Sequence, residues 1–188
     1  MTFEECIAAG GVAVFGADTV YGLACDPESA EAVARLYALK GRAAGKPAAV
    51  MFFDRDRALA ALPELGPRTR ALCERLLPGA VTLLVAGERF PLAGGAGTLG
   101  LRVPDLPALA HVARPVLQTS ANHPGGPDAR RLEDVPQAIR DGADLVLDGG
   151  ELAGTPSTVV DLRGYEAGGD WRIVRAGAVP EAVIRSVA

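Results

Sequence analysis

The sequence has few of the residues that metal sites and disulfide frameworks need. Its three cysteines are widely separated and form no CxxC pair, and it has only two histidines, His111 and His123. Zinc sites and disulfide scaffolds depend on cysteines and histidines at close, regular spacing. The sequence therefore predicts neither a zinc site nor a disulfide-stabilised fold.

Long hydrophobic runs are also missing. No stretch approaches the roughly 20 apolar residues that cross a bilayer. The N-terminus has neither the basic start nor the apolar run of a signal peptide. We therefore expect no membrane segment and a cytoplasmic location.

Positive charge and aromatic residues are scarce. The chain has 19 Lys and Arg against 23 Asp and Glu, a formal net charge of -4, and 5% aromatic residues, and its isoelectric point is near 5.2. Surfaces that bind long stretches of nucleic acid are basic and often stack bases on aromatic rings. The composition argues against such a surface, so any contact with nucleic acid should be local.

What the sequence does contain is the composition of one globular domain, predicted over residues 1–188: 49% hydrophobic and 22% charged residues. Apolar runs bounded by turn residues predict strands at 12–15, 48–53, 81–86, 99–103, 115–119, 144–148, 157–162 and 171–175. A capping box at Thr2 and Glu5 predicts a first helix. Apolar residues at helical spacing predict further helices at about 27–40, 67–77, 105–112, 132–141 and 180–187. Strands that alternate with helices predict an α/β architecture.

Two glycine-rich stretches imitate nucleotide-binding loops. "GAGTLG" at 95–100 fits GxGxxG, but it leads into a predicted strand instead of opening a helix. "GRAAGKP" at 41–47 has three residues between its glycines where a P-loop has four, and Pro47 replaces the Ser or Thr that meets magnesium. We reject both a dinucleotide-binding fold and a Walker-type NTPase.

The basic residues that are present concentrate in one stretch. "ALKGRAAGKP" at 38–47 places Lys40, Arg42 and Lys46 within seven positions, at the end of a predicted helix. Polar residues also follow several predicted strands, where open α/β sheets place ligand sites. From residue type alone two interpretations stay open. The cations are either surface charges that favour a helix C-terminus or ligands of an anion.

Six segments together resemble the YrdC/TsaC family of L-threonylcarbamoyladenylate synthases, in the same order over nearly the whole chain. They are "GADTVYGL" (16–23), "KGRAAGKP" (40–47), "TLGLRVP" (98–104), "QTSAN" (118–122), "PSTVVDL" (156–162) and "VRAG" (174–177). The length matches the short form of the family. The resemblance implies a single-domain α/β fold: a twisted mixed sheet flanked by helices around a positively lined cavity that binds ATP, L-threonine and bicarbonate.

The resemblance also implies a reaction that yields threonylcarbamoyl-adenylate and pyrophosphate. Partner transferase proteins would then move the threonylcarbamoyl group onto tRNA, and a weak direct contact with tRNA is a further expectation. Magnesium is expected to accompany ATP. In this chemistry the carbamate of threonine attacks the α-phosphorus, so the protein supplies positioning and charge stabilisation rather than a covalent side chain.

The resemblance assigns roles residue by residue and implies no metal ligand in the protein. The central catalytic tetrad would be Lys40, Arg42, Ser120 and Asn122. The residues that bind ATP would be Arg42, Lys46, Thr98, Asn122 and Arg175. The residues that bind threonine would be Thr19, Arg102, Ser120 and Ser157, with Arg102 forming a bidentate pair with the substrate carboxylate.

Two alternatives stay open beside this interpretation. The first is a binding module that holds RNA or tRNA in the cavity without making an adenylate. The second is a paralogue that adenylates a different carbamate. It is kept because Ala17 and Met51 stand where many relatives have threonine and histidine.

Overall fold

The computed structural model describes residues 1–43, 47–95 and 97–188. Within these ranges nine strands form one sheet. The strands are β1 (Ala13–Gly16), β2 (Tyr21–Cys25), β3 (Ala49–Met51), β4 (Val81–Ala86), β5 (Thr98–Arg102), β6 (Val116–Ser120), β7 (Leu145–Val146), β8 (Thr158–Asp161) and β9 (Arg172–Arg175). The helices are α1 (Phe3–Ala8), α2 (Ala30–Lys40), α3 (Arg55–Ala60), α4 (Pro67–Leu76), α5 (Gln137–Gly142) and α6 (Glu181–Val187).

The strand order is β7-β1-β2-β6-β3-β5-β4-β8-β9. The pairs β1/β7, β3/β5 and β4/β8 are parallel, and the other neighbours are antiparallel. The expected mixed α/β sheet flanked by helices is therefore confirmed. None of the helices in the described ranges is long and apolar enough to span a membrane.

Every predicted strand is present, with ends that move by a few residues, but sequence patterning missed β2. All five residues of β2 are buried, so the strand lacks the alternation of polar and apolar residues that marks a half-exposed strand. Patterning also missed α3, which begins where the Asp54 side chain accepts a hydrogen bond of 2.8 Å from the Arg57 backbone N–H.

Two of the predicted helices are wrong in extent. The helix predicted at 105–112 is only a short 3-10 turn at Pro107–Leu109. The helix predicted at 132–141 is a 3-10 turn at Leu132–Asp134 followed by α5. Pro136 explains the interruption before α5, because it has no backbone N–H to donate within a helix. Pro107 begins its 3-10 turn, where proline is tolerated, so it does not explain why that turn ends at Leu109.

The two faces of the sheet are covered differently. One face carries apolar residues of the central strands, such as Val50 and Leu117, which are fully buried in the cluster that includes side chains of α2, α4, α5 and α6. The other face is covered at one end by α1, where Phe3 packs against Phe15 with ring centroids 5.1 Å apart. The rest of this second face holds the cavity described below.

In the middle of the second face the side chains of β3 and β5 are small. Gln118 of β6 pairs in register with Ala49 of β3, which in turn pairs with Gly100 of β5. A Cβ atom at position 100 would come within 3.3 Å of the Ala49 Cα atom. Small residues at these two positions therefore leave room above the sheet.

Candidate active site

A cavity of about 280 Å³ lies on the second face of the sheet. Its positive lining consists of Lys40, Arg42, Arg102 and Arg175. Its neutral polar lining consists of Thr82, Thr98, Gln118, Thr119, Ser120 and Ser157. Asp128 is the only carboxylate among the lining residues that the structure describes. The cavity therefore suits an anionic ligand.

The end of α2 places Lys40 in the cavity wall. Gly41 adopts a left-handed conformation with φ of 68°, which only glycine reaches without strain, and stops the helix there. The Arg42 backbone N–H closes the turn by donating to the Tyr37 carbonyl at 2.9 Å. As a result the Lys40 side chain lies against the end of β6, only 5% exposed.

Lys40, Ser120 and Asn122 form one hydrogen-bonded group, which we call the Lys40 cluster. The Lys40 ammonium donates to the Ser120 carbonyl at 2.6 Å and to the Asn122 carbonyl and Oδ1 at 2.9 and 2.8 Å. Ser120 Oγ donates to the same Asn122 Oδ1 at 2.8 Å. The amide of Asn122 is fixed in turn by donating to the Gly126 carbonyl at 2.8 Å.

The charge of the Lys40 cluster is not balanced by an ion pair within the described ranges. Every acceptor of the Lys40 ammonium is neutral. The pKa of Lys40 is lowered from 10.5 to about 8, chiefly by burial and also by the nearby charge of Arg42, while Asp128 partly opposes the shift. A bound anion would restore the usual preference for the charged form.

Arg42 extends the positive region on the same side. Its Nη1 donates to Thr119 Oγ1 at 3.2 Å and its Nη2 to the Pro47 carbonyl at 2.5 Å. Its Nε is buried and has no acceptor within the part of the chain that the structure describes. Among the residues that the structure describes, Arg42, like Lys40, therefore donates hydrogen bonds to neutral groups only.

Arg102, Asp18 and Thr19 form a second polar group, the Arg102 cluster. Arg102 is 3% exposed. Its Nη2 donates to Asp18 Oδ1 and, at 2.6 Å, to Thr19 Oγ1. Burial lowers the pKa of the Arg102 guanidinium, and the charge of Asp18 opposes the shift. Asp18 Oδ2 and Arg102 Nε are buried without a partner in the described ranges.

Ser157 and Arg175 meet at the far rim of the cavity. Arg175 Nη2 donates to the Ser157 carbonyl at 2.7 Å, and Ser157 Oγ lies 2.8 Å from Thr82 Oγ1. Thr98, at the start of β5, accepts a 3.3 Å hydrogen bond from Arg163 Nη1. These contacts fix the side chains that line this rim.

The structure brings most of the expected site residues to one cavity. Those that line it are Lys40, Arg42, Thr98, Arg102, Ser120, Ser157 and Arg175. Thr19 and Asn122 are not among the lining residues. Thr19 accepts a hydrogen bond from Arg102, and Asn122 accepts one from Lys40. Lys46 lies outside the described residues.

Sequence reasoning missed five polar residues of this region: Asp18, Thr82, Gln118, Thr119 and Asp128. For Asp18 a signal existed, since a guanidinium in an apolar strand needs a buried partner, but nothing in the sequence said which carboxylate supplies it. The two departures from the family pattern lie elsewhere. Ala17 and Met51 are buried in the apolar cluster with α1 and do not line the cavity.

Together these features define an α/β protein with a cation-lined cavity on one face of its sheet. A family model described as "Sua5_yciO_yrdC: Telomere recombination" matches residues 5–177, and the chain belongs to this family. A relative from Thiobacillus denitrificans named threonylcarbamoyl-AMP synthase is 37% identical over 164 residues, which are 81% of this chain and 85% of the relative. A relative of the same name from Pseudomonas aeruginosa is also 37% identical, over 81% of this chain and 86% of its own length.

Solved structures show the same fold. Sua5 of Pyrococcus abyssi, determined in complex with L-threonine, superposes with a TM-score of 0.86 at 27% identity. The match covers 98% of this chain but 55% of that one, so this chain spans little more than half of that Sua5. Escherichia coli YciO superposes with a TM-score of 0.77 at 27% identity, over 93% of this chain and 87% of YciO.

Proposed function

We propose that this chain synthesises L-threonylcarbamoyl-AMP from ATP, L-threonine and bicarbonate, with release of pyrophosphate. The observation that carries the proposal is the pair of cations Lys40 and Arg42, which line the cavity and contact only neutral groups. Relatives that are 37% identical over most of the chain and are named threonylcarbamoyl-AMP synthase support the choice of reaction.

The reaction needs no nucleophile from the protein. The amine of threonine combines with carbon dioxide, or with bicarbonate and loss of water, to give a carbamate and a proton. A carbamate oxygen then attacks the α-phosphorus of ATP, and the bond to the bridging oxygen breaks as pyrophosphate leaves. Negative charge accumulates on the phosphate oxygens during this step, so Lys40 and Arg42 accelerate it by stabilising that charge.

The ATP side of the proposal uses the Lys40 cluster and the far rim. Arg42 and Lys46 bind phosphate oxygens, while Thr98 and Arg175 hold the rest of the nucleotide. Asn122 acts from behind by fixing the Lys40 ammonium and Ser120 Oγ. Magnesium enters with ATP as part of the substrate, since the ion commonly binds one or two carboxylates together with substrate phosphates and Asp128 lines the cavity.

The threonine side of the proposal uses Thr19, Arg102, Ser120 and Ser157. Arg102 already donates from Nη2 to both Asp18 and Thr19, which leaves Nη1 without a partner in the described ranges. Nη1 therefore receives the substrate carboxylate through a single contact instead of the bidentate pair. Thr19 acts by keeping the guanidinium in this orientation.

The same proposal covers the partners and the location. The product is passed to threonylcarbamoyl-transferase proteins that modify tRNA, and the reaction takes place in the cytoplasm. A different amino acid substrate is not favoured, because Ala17 and Met51 are buried away from the cavity.

The test is pyrophosphate release from MgATP and bicarbonate, measured without an amino acid and with a panel that includes threonine, serine, valine and 2-aminobutyrate. We expect release that depends on both threonine and bicarbonate. Release with another amino acid would keep the chemistry but replace the substrate. No release from folded protein that binds RNA in a salt-dependent way would replace the proposal with the binding-module alternative.

A further inference from the structure

Gln118 is a buried polar side chain that none of these roles uses. It is 4% exposed and lines the cavity. No group in residues 1–43, 47–95 or 97–188 forms a hydrogen bond with its side-chain amide. Its amide atoms are not among the fully buried unpartnered atoms of these ranges, because they face the cavity. The amide is therefore open to hydrogen bonds from a ligand bound there.

The surroundings of Gln118 explain why the protein cannot satisfy it. Its strand neighbours in register are Ala24 on β2 and Ala49 on β3, and neither has a polar side chain. A Cβ atom at Gly22 would lie 2.7 Å from Gln118 Nε2, so the amide occupies the space above that glycine. Gly22 is the strand partner of Ser120. The free amide therefore lies beside the Lys40 cluster.

The chemistry of the neighbouring groups limits what Gln118 can bind. Lys40, Arg42 and Arg102 are donors only. They match phosphate and carboxylate oxygens but offer nothing to a donor on the ligand. A primary amide offers an acceptor, Oε1, next to a donor, Nε2. Its complement is a ligand group with an N–H beside an acceptor atom, which a carbamate and the adenine base of ATP both offer. The separate measurement of ATP affinity in the test distinguishes the two.

We infer that Gln118 binds the carbamate formed from the amino acid, with Oε1 accepting from the carbamate N–H and Nε2 donating to a carbamate oxygen. The inference rests on the proposed function and deepens it. Phosphate groups have no N–H to donate, so they would accept from Nε2 and leave Oε1 without a partner. A carbamate uses both halves in a paired arrangement that orients its second oxygen for attack on the α-phosphorus. Gln118 forms and breaks no covalent bond in this step.

The test compares Gln118→Leu with Gln137→Leu. Gln137 is exposed at the start of α5, so it undergoes the same chemical change away from the cavity. Pyrophosphate release is measured while bicarbonate is varied at saturating ATP and threonine, and ATP binding is measured separately without threonine. For Gln118→Leu we expect kcat/KM for bicarbonate to fall about 10- to 100-fold, as the loss of one or two hydrogen bonds implies. We expect ATP affinity to change less than about twofold.

Gln118→Glu is the second variant and keeps the shape and the acceptor. It replaces the donor with a charge that repels the anionic carbamate, so kcat/KM for bicarbonate should fall at least as far as in Gln118→Leu. Thermal unfolding of both variants checks that they fold. If one does not, the other decides the test.

Each other outcome points to a different error. Unchanged bicarbonate dependence in a folded variant overturns the inference alone. An equal loss of ATP affinity places the amide on the nucleotide and also overturns it. The inference is also overturned if a Gln118 variant loses the preference for threonine over 2-aminobutyrate while its bicarbonate dependence is unchanged. In that case the amide binds the hydroxyl group of threonine. If wild-type protein releases no pyrophosphate with any amino acid, the proposed function fails and the inference fails with it.

Discussion

The cavity contains two buried cations whose surroundings differ. Lys40 is 5% exposed and donates only to neutral oxygens of Ser120 and Asn122. Arg102 is 3% exposed and is paired with a carboxylate, Asp18, whose side chain is 8% exposed. Burial disfavours the charge in both cases, but only Arg102 has a built-in counter-ion.

This difference separates two kinds of ligand. A buried cation without a counter-ion is stabilised by any anion that enters, so the Lys40 cluster is suited to a highly charged group such as a polyphosphate. A cation already paired with a carboxylate is nearly neutral as a unit and favours a ligand that is itself nearly neutral, such as a zwitterionic amino acid. The comparison thus supports the proposal that ATP phosphates bind on the Lys40 side and threonine on the Arg102 side.

The largest effect is expected from Lys40→Met. The substitution keeps the length of the side chain, but it removes the charge and leaves the Ser120 and Asn122 oxygens without their donor. We expect the rate of pyrophosphate release to fall by about 100- to 1,000-fold, the size typical of losing one electrostatic group from a preorganised site. Steady-state kinetics together with ATP binding measure this effect.

Arg35→Met is the matched control on the same helix. Arg35 forms an ion pair with Asp144 in which both side chains are about 40% exposed, and exposed pairs contribute under about 1 kcal/mol. The control should keep wild-type activity. Wild-type activity in Lys40→Met would remove the distinction between the two cations.

A comparable effect, on stability, is expected from Asp18→Leu. It leaves the Arg102 guanidinium buried without a counter-ion, and breaking a buried pair in this way lowers the free energy of unfolding by about 3–5 kcal/mol. The double variant Asp18→Leu with Arg102→Met should recover most of that loss, because both charges are gone. Urea denaturation of the single and double variants gives the coupling energy.

The control for this double-mutant cycle is the ion pair between Arg130 and Glu151, whose side chains are 54% and 48% exposed. Its expected coupling energy is under about 1 kcal/mol. If the Asp18 and Arg102 substitutions are simply additive, the carboxylate does not neutralise Arg102, and the contrast with Lys40 no longer holds.

The same two clusters show how much the sequence could predict. Lys40, Arg42, Ser120 and Asn122 were found from ordered motifs, which depend on local spacing at the end of a helix and a strand. The strand β4 was predicted with its exact bounds, because its apolar run is bounded by turn residues on both sides. Local patterns therefore sufficed for most of the fold.

The features that the sequence did not reveal depend on pairing between distant segments. Asp18 becomes a counter-ion only because the turn after β1 reaches the end of β5, where Arg102 lies. Gln118 becomes an unsatisfied amide only because Ala24, Ala49 and Gly22 surround it from other strands. No spacing along the chain encodes these neighbours. They follow from strand order and register, which only the folded structure gives.

The smallest effect is a pH dependence that only Lys40 should show. The pKa of Lys40 is about 8 in the folded protein and about 10.5 when unfolded, so between these values the unfolded state holds more protons. The contribution of Lys40 to stability therefore rises with pH from about 8 to 10.5, as the cost of its buried charge disappears. ATP affinity should move the other way, by up to about tenfold per pH unit above 8, because the phosphates lose the cation they bind.

The measurement is ATP binding and urea denaturation across this pH range, without threonine, whose amine would also titrate. Lys40→Met is the reference and should show neither trend. Arg42 and Asp128 are the charged groups that affect Lys40. Opposite slopes for stability and affinity in the wild type would identify an uncompensated cation that an anion neutralises. A flat ATP affinity would show that Lys40 only holds Ser120 and Asn122 in place, and the phosphate contact would then belong to Arg42.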